Sequence, residues 1–406
     1  MKSFDTFFLM DLEAAKRYAA EVLHFFDGEE ELDAEEIGDG NINYVFRVFT
    51  KDRKKSVIIK QADKLLRSSG RPLDIGRNKI EAHMLMLEHK LAPGFVPVVY
   101  RYDETMAATS MEDVSAYSNM RKELLAGHVY DHIAENISTF LADTLLPMTD
   151  LVVDAEEKKK LVAFYTNPEL CKITEDLVLT EPYYNYKNRN ILTPGTESFV
   201  ETEVYGNEAL CYEAALLRER FMNYAQSLLH GDLHSGSIFI NEHGLKVLDP
   251  EFAFYGPMGY DIGNVIGNLF FTWANLAITE KDSTEVCEKI AAQIEAICDL
   301  TKEKLSKKYD ETVTLPLYKT EAFKTQYLGS VMEDSYGYAG TEVVRRTIGD
   351  SKVMEINKVT DPAQRIPMDK ALIRMGTWLI MNRRKIRTGR ELTEAFREIL
   401  TGEEVQ

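Results

Sequence analysis

The chain has 406 residues, 45% of them hydrophobic, with 66 acids against 48 bases and a net charge of −18. This length is too great for one simple core and suits two lobes, the composition is that of a soluble globular protein, and the acidic balance argues against nucleic acid or an anionic membrane as a main partner. Four cysteines without close paired or zinc-type spacing, and the absence of a charged-then-apolar leader or a transmembrane-length apolar run, suit a reducing cytoplasm.

Along the chain, residues 1 to about 35 read as a helical preamble, with Leu12, Ala15, Tyr18, Ala19 and Leu23 recurring on one face. Glu36 to Val48 then reads as strand, glycine-rich turn, strand, because Tyr44, Phe46 and Val48 alternate with Val45 and Arg47; Gly38 and Gly40 would let the backbone approach phosphates. Ser56-Val-Ile-Ile-Lys-Gln61 is a continuous apolar strand ending in Lys60, where a buried ammonium needs an anion. A phosphate is the natural partner, and Glu81, in a helical segment from Asn78 to Lys90, is the natural brace for the lysine. Strands and this helix build a small lobe to about residue 111, and the larger lobe is expected to be mostly helical, over Leu210 to Leu229, Val265 to Ala277 and Lys281 to Lys308. Phe270, Phe271 and Trp273 are candidates for lining an apolar pocket, although aromatic residues in helices usually belong to the core.

The densest chemistry lies between these helices. His230-Gly-Asp-Leu-His-Ser-Gly-Ser-Ile-Phe-Ile240 is followed by a polar turn, Asn241 to Gly244, and a second apolar run, Leu245 to Leu248. The two runs read as a β-hairpin that brings Asp232, before it, towards Asp249, after it. Two acids so placed repel unless a cation lies between them, which is the layout of a phosphoryl-transfer site with a base and a magnesium ligand. The asparagine that kinases carry five residues beyond the base is replaced here by Ser237. Glu251, in Asp249-Pro250-Glu251, would project to the same side as Asp249 from an extended segment and supply the missing ligand. His230 and His234 are expected to order this loop, not to bind metal, and Asp261 is expected to support it. Arg345 and Arg346 are adjacent on a helix and point about 100° apart, so one reaches a given oxygen while the other braces it.

Gly38-Asp-Gly-Asn-Ile-Asn-Tyr-Val-Phe46, Ile58-Ile-Lys-Gln-Ala62, Met111-Glu-Asp113, the His230–Phe239 loop, Asp249 to Gly263 and Arg345-Arg-Thr-Ile-Gly349 together resemble the S-methyl-5-thioribose kinase family over nearly the whole chain. The catalytic loop alone would indicate only the wider group that includes aminoglycoside and choline kinases.

The resemblance implies an α+β, protein-kinase-like bilobal fold with an N-terminal lobe over 1–111, a hinge at 112–114 and a C-terminal lobe over 115–406. It implies ATP-dependent phosphorylation of the anomeric hydroxyl of methylthioribose in methionine salvage, with Mg2+, in a cytoplasmic homodimer. By the same resemblance, Asp232 matches the catalytic, substrate-contacting acid; Asp249, Pro250 and Glu251 the metal and nucleotide motif; Asn43 and Lys60 nucleotide positions. Glu112, Asp113 and Val114 match a hinge whose backbone binds adenine, and Arg345 and Arg346 a substrate-site pair. Two alternatives stand beside it: a kinase for another small alcohol, and a nucleotide-binding module without catalysis.

Overall fold

The apolar alternation of Tyr44–Val48 and the apolar run Val57–Ile59 become inner strands of a five-stranded antiparallel sheet. The computed structural model describes residues 3–28, 30–37, 43–65 and 73–402. In it, β1 (Leu32–Glu36), β2 (Tyr44–Thr50), β3 (Ser56–Gln61), β4 (Val99–Asp103) and β5 (Ala108–Met111) lie in the order β1-β2-β3-β5-β4. Side chains alternate across a strand. Val57 and Ile59 therefore join Phe46, Val48 and Ala108 in a core capped by Ala15, Tyr18 and Ala19. Lys60 turns to the opposite side, where the Gly76–Leu91 helix packs.

The helical preamble holds only to residue 22. A helix at Leu12–Arg17 runs into a π-helical turn at Tyr18–Val22, and β1 occupies residues 32–36, with Glu36 opposite Phe46 of β2. Leu12 is exposed, so the buried face is narrower than the spacing suggests.

Two compact units result, residues 1–117 with 246–253, and residues 118–245 with 254–406. The first thus contains all of 112–114 and is completed by a return of the chain that begins within β9 (Gly244–Val247), the second strand of the hairpin opened by β8 (Ile238–Asn241), which also pairs with β6 (Ser118–Asn119). His243 N–H donates to the Asn241 side chain at 2.8 Å, closing the turn.

The second unit is mainly helical. A single helix is expected over Leu210 to Leu229, but the helix is Glu208–Asn223, and the buried Ser227–Leu229 is β7, paired antiparallel with β10 (Phe254–Gly256). The Gly259–Thr279 helix is buried through Leu276 and lies against the Glu321–Ile348 helix at very close range. A Cβ on Gly263 would sit 2.4 Å from the Ser335 carbonyl, and one on Gly267 2.8 Å from that of Ala339, so glycine is required at both. Phe270, Phe271 and Trp273 are fully packed in this core, the first and third against Phe396, and do not line a pocket. Among the described residues no helix is long and apolar enough to cross a membrane.

Candidate active site

In the first unit β3 and the Gly76–Leu91 helix bring Lys60 and Glu81 together. Lys60 Nζ lies 2.7 Å from Glu81 Oε1 and 2.6 Å from Asp249 Oδ1. Asp249 has left-handed backbone angles, φ 64° and ψ 46°, a conformation that costs a non-glycine residue roughly 1–2 kcal/mol. Pro250 then opens a single 3₁₀ turn, Pro250–Phe252, as its fixed φ allows. The segment is therefore not extended, contrary to the expectation that put Glu251 on the same side as Asp249. Glu251 instead receives Asn43 Nδ2 at 3.3 Å and faces Arg77 Nε at 3.5 Å. Arg77 Nη2 also donates to Asn43 Oδ1 at 2.9 Å, which fixes the amide orientation. The Asp249 side chain is 52% exposed and that of Glu251 9%. Gly38 and Gly40 lie outside the described residues.

Burial favours a neutral Lys60, but Asp249, Glu81 and Glu251 outweigh it and raise its pKa. Burial pushes Glu81 up to about 7, with Asp249 and Glu251 adding to the effect and Lys60 opposing it. Glu251 is pushed up chiefly by burial as well, against Lys60 and Arg77. Three carboxylates thus surround two cations. The hard oxygen donors suit magnesium, which binds through one or two carboxylates together with substrate phosphates. Among the described residues no cluster of three or more His, Cys, Asp and Glu side chains forms a protein-only metal cage.

At 112–114 the Glu112 N–H donates to the Val98 carbonyl, and the Val114 carbonyl accepts from Tyr117 N–H. The Glu112 carbonyl and the Val114 N–H have no backbone partner among the described residues. The Asp113 carboxylate is occupied by Arg47 Nε and Ser56 Oγ, each at 2.6 Å, so its side chain anchors the segment.

In the second unit the loop between β7 and β8 carries Asp232. The buried Asp261 accepts the backbone N–H groups of His230 at 2.7 Å and Gly231 at 3.0 Å, with burial as the main cause that raises its pKa to about 7. His234 Nδ1 accepts the N–H groups of Gly236 and Ser237, at 3.0 and 3.1 Å. That assigns the ring proton to Nε2, which faces Asp232 Oδ2 at 3.4 Å. Ser237 Oγ turns inward to the Asp232 carbonyl at 2.9 Å.

Arg346 Nη2 lies 3.8 Å from Asp232 Oδ1. Burial raises the Asp232 carboxyl, but His234, Arg346 and Arg345 outweigh it and hold it well below the usual carboxylate range. The group is ionised at neutral pH and 37% exposed, so it is open to a hydroxyl donor. Sequence reasoning did not single out Arg77, Arg121, Asn268 or Glu342. Arg77 carries a signal, since it stands one helical turn before Glu81. Glu342 carries the same kind of signal, one helical turn before Arg345 and Arg346, whereas Arg121 and Asn268 declare themselves only through partners distant in sequence.

Residues 33–284 match the phosphotransferase enzyme family. An ethanolamine kinase of Plasmodium vivax aligns with 96% of this chain and 87% of its own, at 11% identity and a TM-score of 0.45. A choline kinase from Cryptosporidium parvum aligns with 90% and 99%, at 12% identity and a TM-score of 0.45. The chain is a phosphotransferase. It is 36% identical over 370 residues to the methylthioribose kinase of a Geobacillus species, covering 90% of each chain, and 37% identical over 390 residues to that of Bacillus velezensis, covering 95% of each. The chain belongs to the methylthioribose kinase family.

Proposed function

We propose that this protein transfers the γ-phosphoryl group of ATP to the anomeric 1-hydroxyl of S-methyl-5-thioribose, giving the 1-phosphate in methionine salvage. The substrate rests on the one observation that its methylthioribose kinase relatives match nearly end to end. In this reading the first unit holds the nucleotide. The Glu112 carbonyl would accept from the amino group of adenine and the Val114 N–H would donate to a ring nitrogen, while Lys60, held by Glu81, would meet the phosphates. Asp249 and Glu251 would hold magnesium, which when bound neutralises phosphate charge.

Asp232 in the second unit would accept the proton of the sugar hydroxyl. Its low pKa makes it a weak base, which suits a loose transition state in which the attacking oxygen loses its proton late and the carboxylate first orients it. Arg346, 3.8 Å from Asp232 Oδ1, would be the member of the arginine pair nearer the reacting oxygens, while Arg345 Nη1 lies 3.5 Å from Glu342 Oε2. Positive charge there favours the transferring phosphoryl group. The presence of base, metal acid and strand lysine speaks against the silent module. The resemblance also carries the expectation of a cytoplasmic homodimer.

The reading is tested by ADP release in parallel with methylthioribose, kanamycin, choline and ribose as acceptors. Turnover with methylthioribose alone is expected. Turnover with another alcohol alone would keep the kinase and discard the substrate.

A further inference from the structure

Glu342 has no role in the preceding reading, yet it is a buried carboxylate inside the second unit's charged cluster. It stands on the Glu321–Ile348 helix one turn before the arginine pair, at the i−3 and i−4 positions that share its face. Arg346 Nε donates to Glu342 Oε1 at 2.8 Å, and Arg345 Nη1 lies 3.5 Å from Oε2. The two oxygens therefore divide the pair. Of the two outer nitrogens of Arg346, Nη1 donates to the Ser351 carbonyl at 3.3 Å and Nη2 faces Asp232 Oδ1 at 3.8 Å.

Glu342 is itself fixed from the neighbouring helix. Asn268 Nδ2 donates to Glu342 Oε1 at 3.2 Å, while Asn268 Oδ1 accepts Arg121 Nη2 at 2.7 Å. Arg121 Nε donates in turn to Ser235 Oγ at 3.1 Å, within the loop that carries Asp232. The contacts close a ring from Asp232 through its own loop to Arg121, Asn268, Glu342 and Arg346, and back to Asp232. Such a ring registers the loop and the arginine against each other through one amide whose orientation is set at both ends.

We infer that Glu342, oriented by Asn268, is a positioning residue that holds Arg346 on the base. The inference rests on the assignment of Asp232 as the base. Glu342 touches neither base nor acceptor and acts through Arg346 alone. Misplacing a catalytic group by about 1 Å costs up to about 10²-fold in rate, so E342Q is expected to lower kcat about 10- to 100-fold with the KM for ATP unchanged.

The deciding measurement is a double-mutant cycle of E342Q and R346M on methylthioribose turnover, with N268A run beside it in case E342Q folds poorly. If Glu342 acts through Arg346, the double variant matches R346M alone within about twofold, since contacting residues do not combine independently. Multiplying losses, or wild-type kcat in both E342Q and N268A, would overturn the inference while leaving the kinase reading intact. An inactive wild-type protein would overturn both. A wild-type Arg346 Nε–H resonance protected from exchange, and exposed in E342Q, supports the clamp without reference to turnover.

Discussion

Replacing Lys60 by methionine leaves two carboxylates facing each other without the cation that joins them. The larger loss is on Glu81, whose side chain is 1% exposed and lies 2.7 Å from Lys60 Nζ. At an effective dielectric of about 20, that attraction is about 6 kcal/mol before desolvation is charged against it. Breaking a buried pair by removing one partner leaves a net loss of about 3–5 kcal/mol. The contact with Asp249 adds about 1 kcal/mol or less, because that carboxylate is 52% exposed and screened by water.

The penalty depends on pH. Glu81 is already raised to about 7 in the native protein, and loss of Lys60 raises it further, so the folded state binds a proton that the unfolded chain releases near pH 4.3. Glu81's contribution to the stability of K60M is therefore fully present below about pH 4.3 and is lost as pH rises through and beyond 7. Urea unfolding of wild type, K60M and K60M/E81L, followed at pH 5 and pH 8, checks this. K60M is expected to lose less at pH 5 than at pH 8, and the double variant to recover most of the loss at pH 8. A K60M loss below about 1 kcal/mol at pH 8, or one independent of pH, would refute the reasoning.

Asp232→Asn is expected to lower kcat by about 10²–10⁴-fold, the usual worth of a general base, while ATP affinity measured by calorimetry changes little. Glu251→Gln is expected to shift the magnesium dependence of turnover to higher concentration, and an unchanged titration would show that Asp249 and phosphate oxygens suffice. Asp261 is raised to about 7 by burial, so its contribution to stability is present below about pH 3.9 and lost as pH rises through about 7. D261N is expected to remove that slope from a stability–pH profile while keeping one acceptor for the His230 and Gly231 amides.

Much of this was legible because the signals are local. The apolar run ending in Lys60, the Asn241–Gly244 turn between two short strands and the helical stretch carrying Glu81 each depend on neighbours within a few residues. The misreadings have local causes too. A left-handed Asp249 followed by a proline-opened turn overrides the extended alternation that would have aligned Glu251 with it. Ser227–Leu229 is a short apolar run, which periodicity alone does not separate from the end of a helix. Arg77, Arg121 and Glu342 are hard to read because a charged residue on a helix looks solvated until its partners are known. Arg77 meets Asn43 and Glu251, and Asn268 joins Arg121 to Glu342 across three helices. Phe270, Phe271 and Trp273, candidates for a pocket, belong to the core, as aromatic residues in a buried helix commonly do.

The central claim, phosphoryl transfer to the anomeric oxygen with Asp232 as base, is tested most directly by phosphorus NMR of the product formed from methylthioribose and ATP. The account predicts a single phosphate ester whose phosphorus couples to the proton on C1, formed by the wild-type protein and suppressed in D232N. A phosphate on another carbon, or an undiminished rate in D232N, would contradict it.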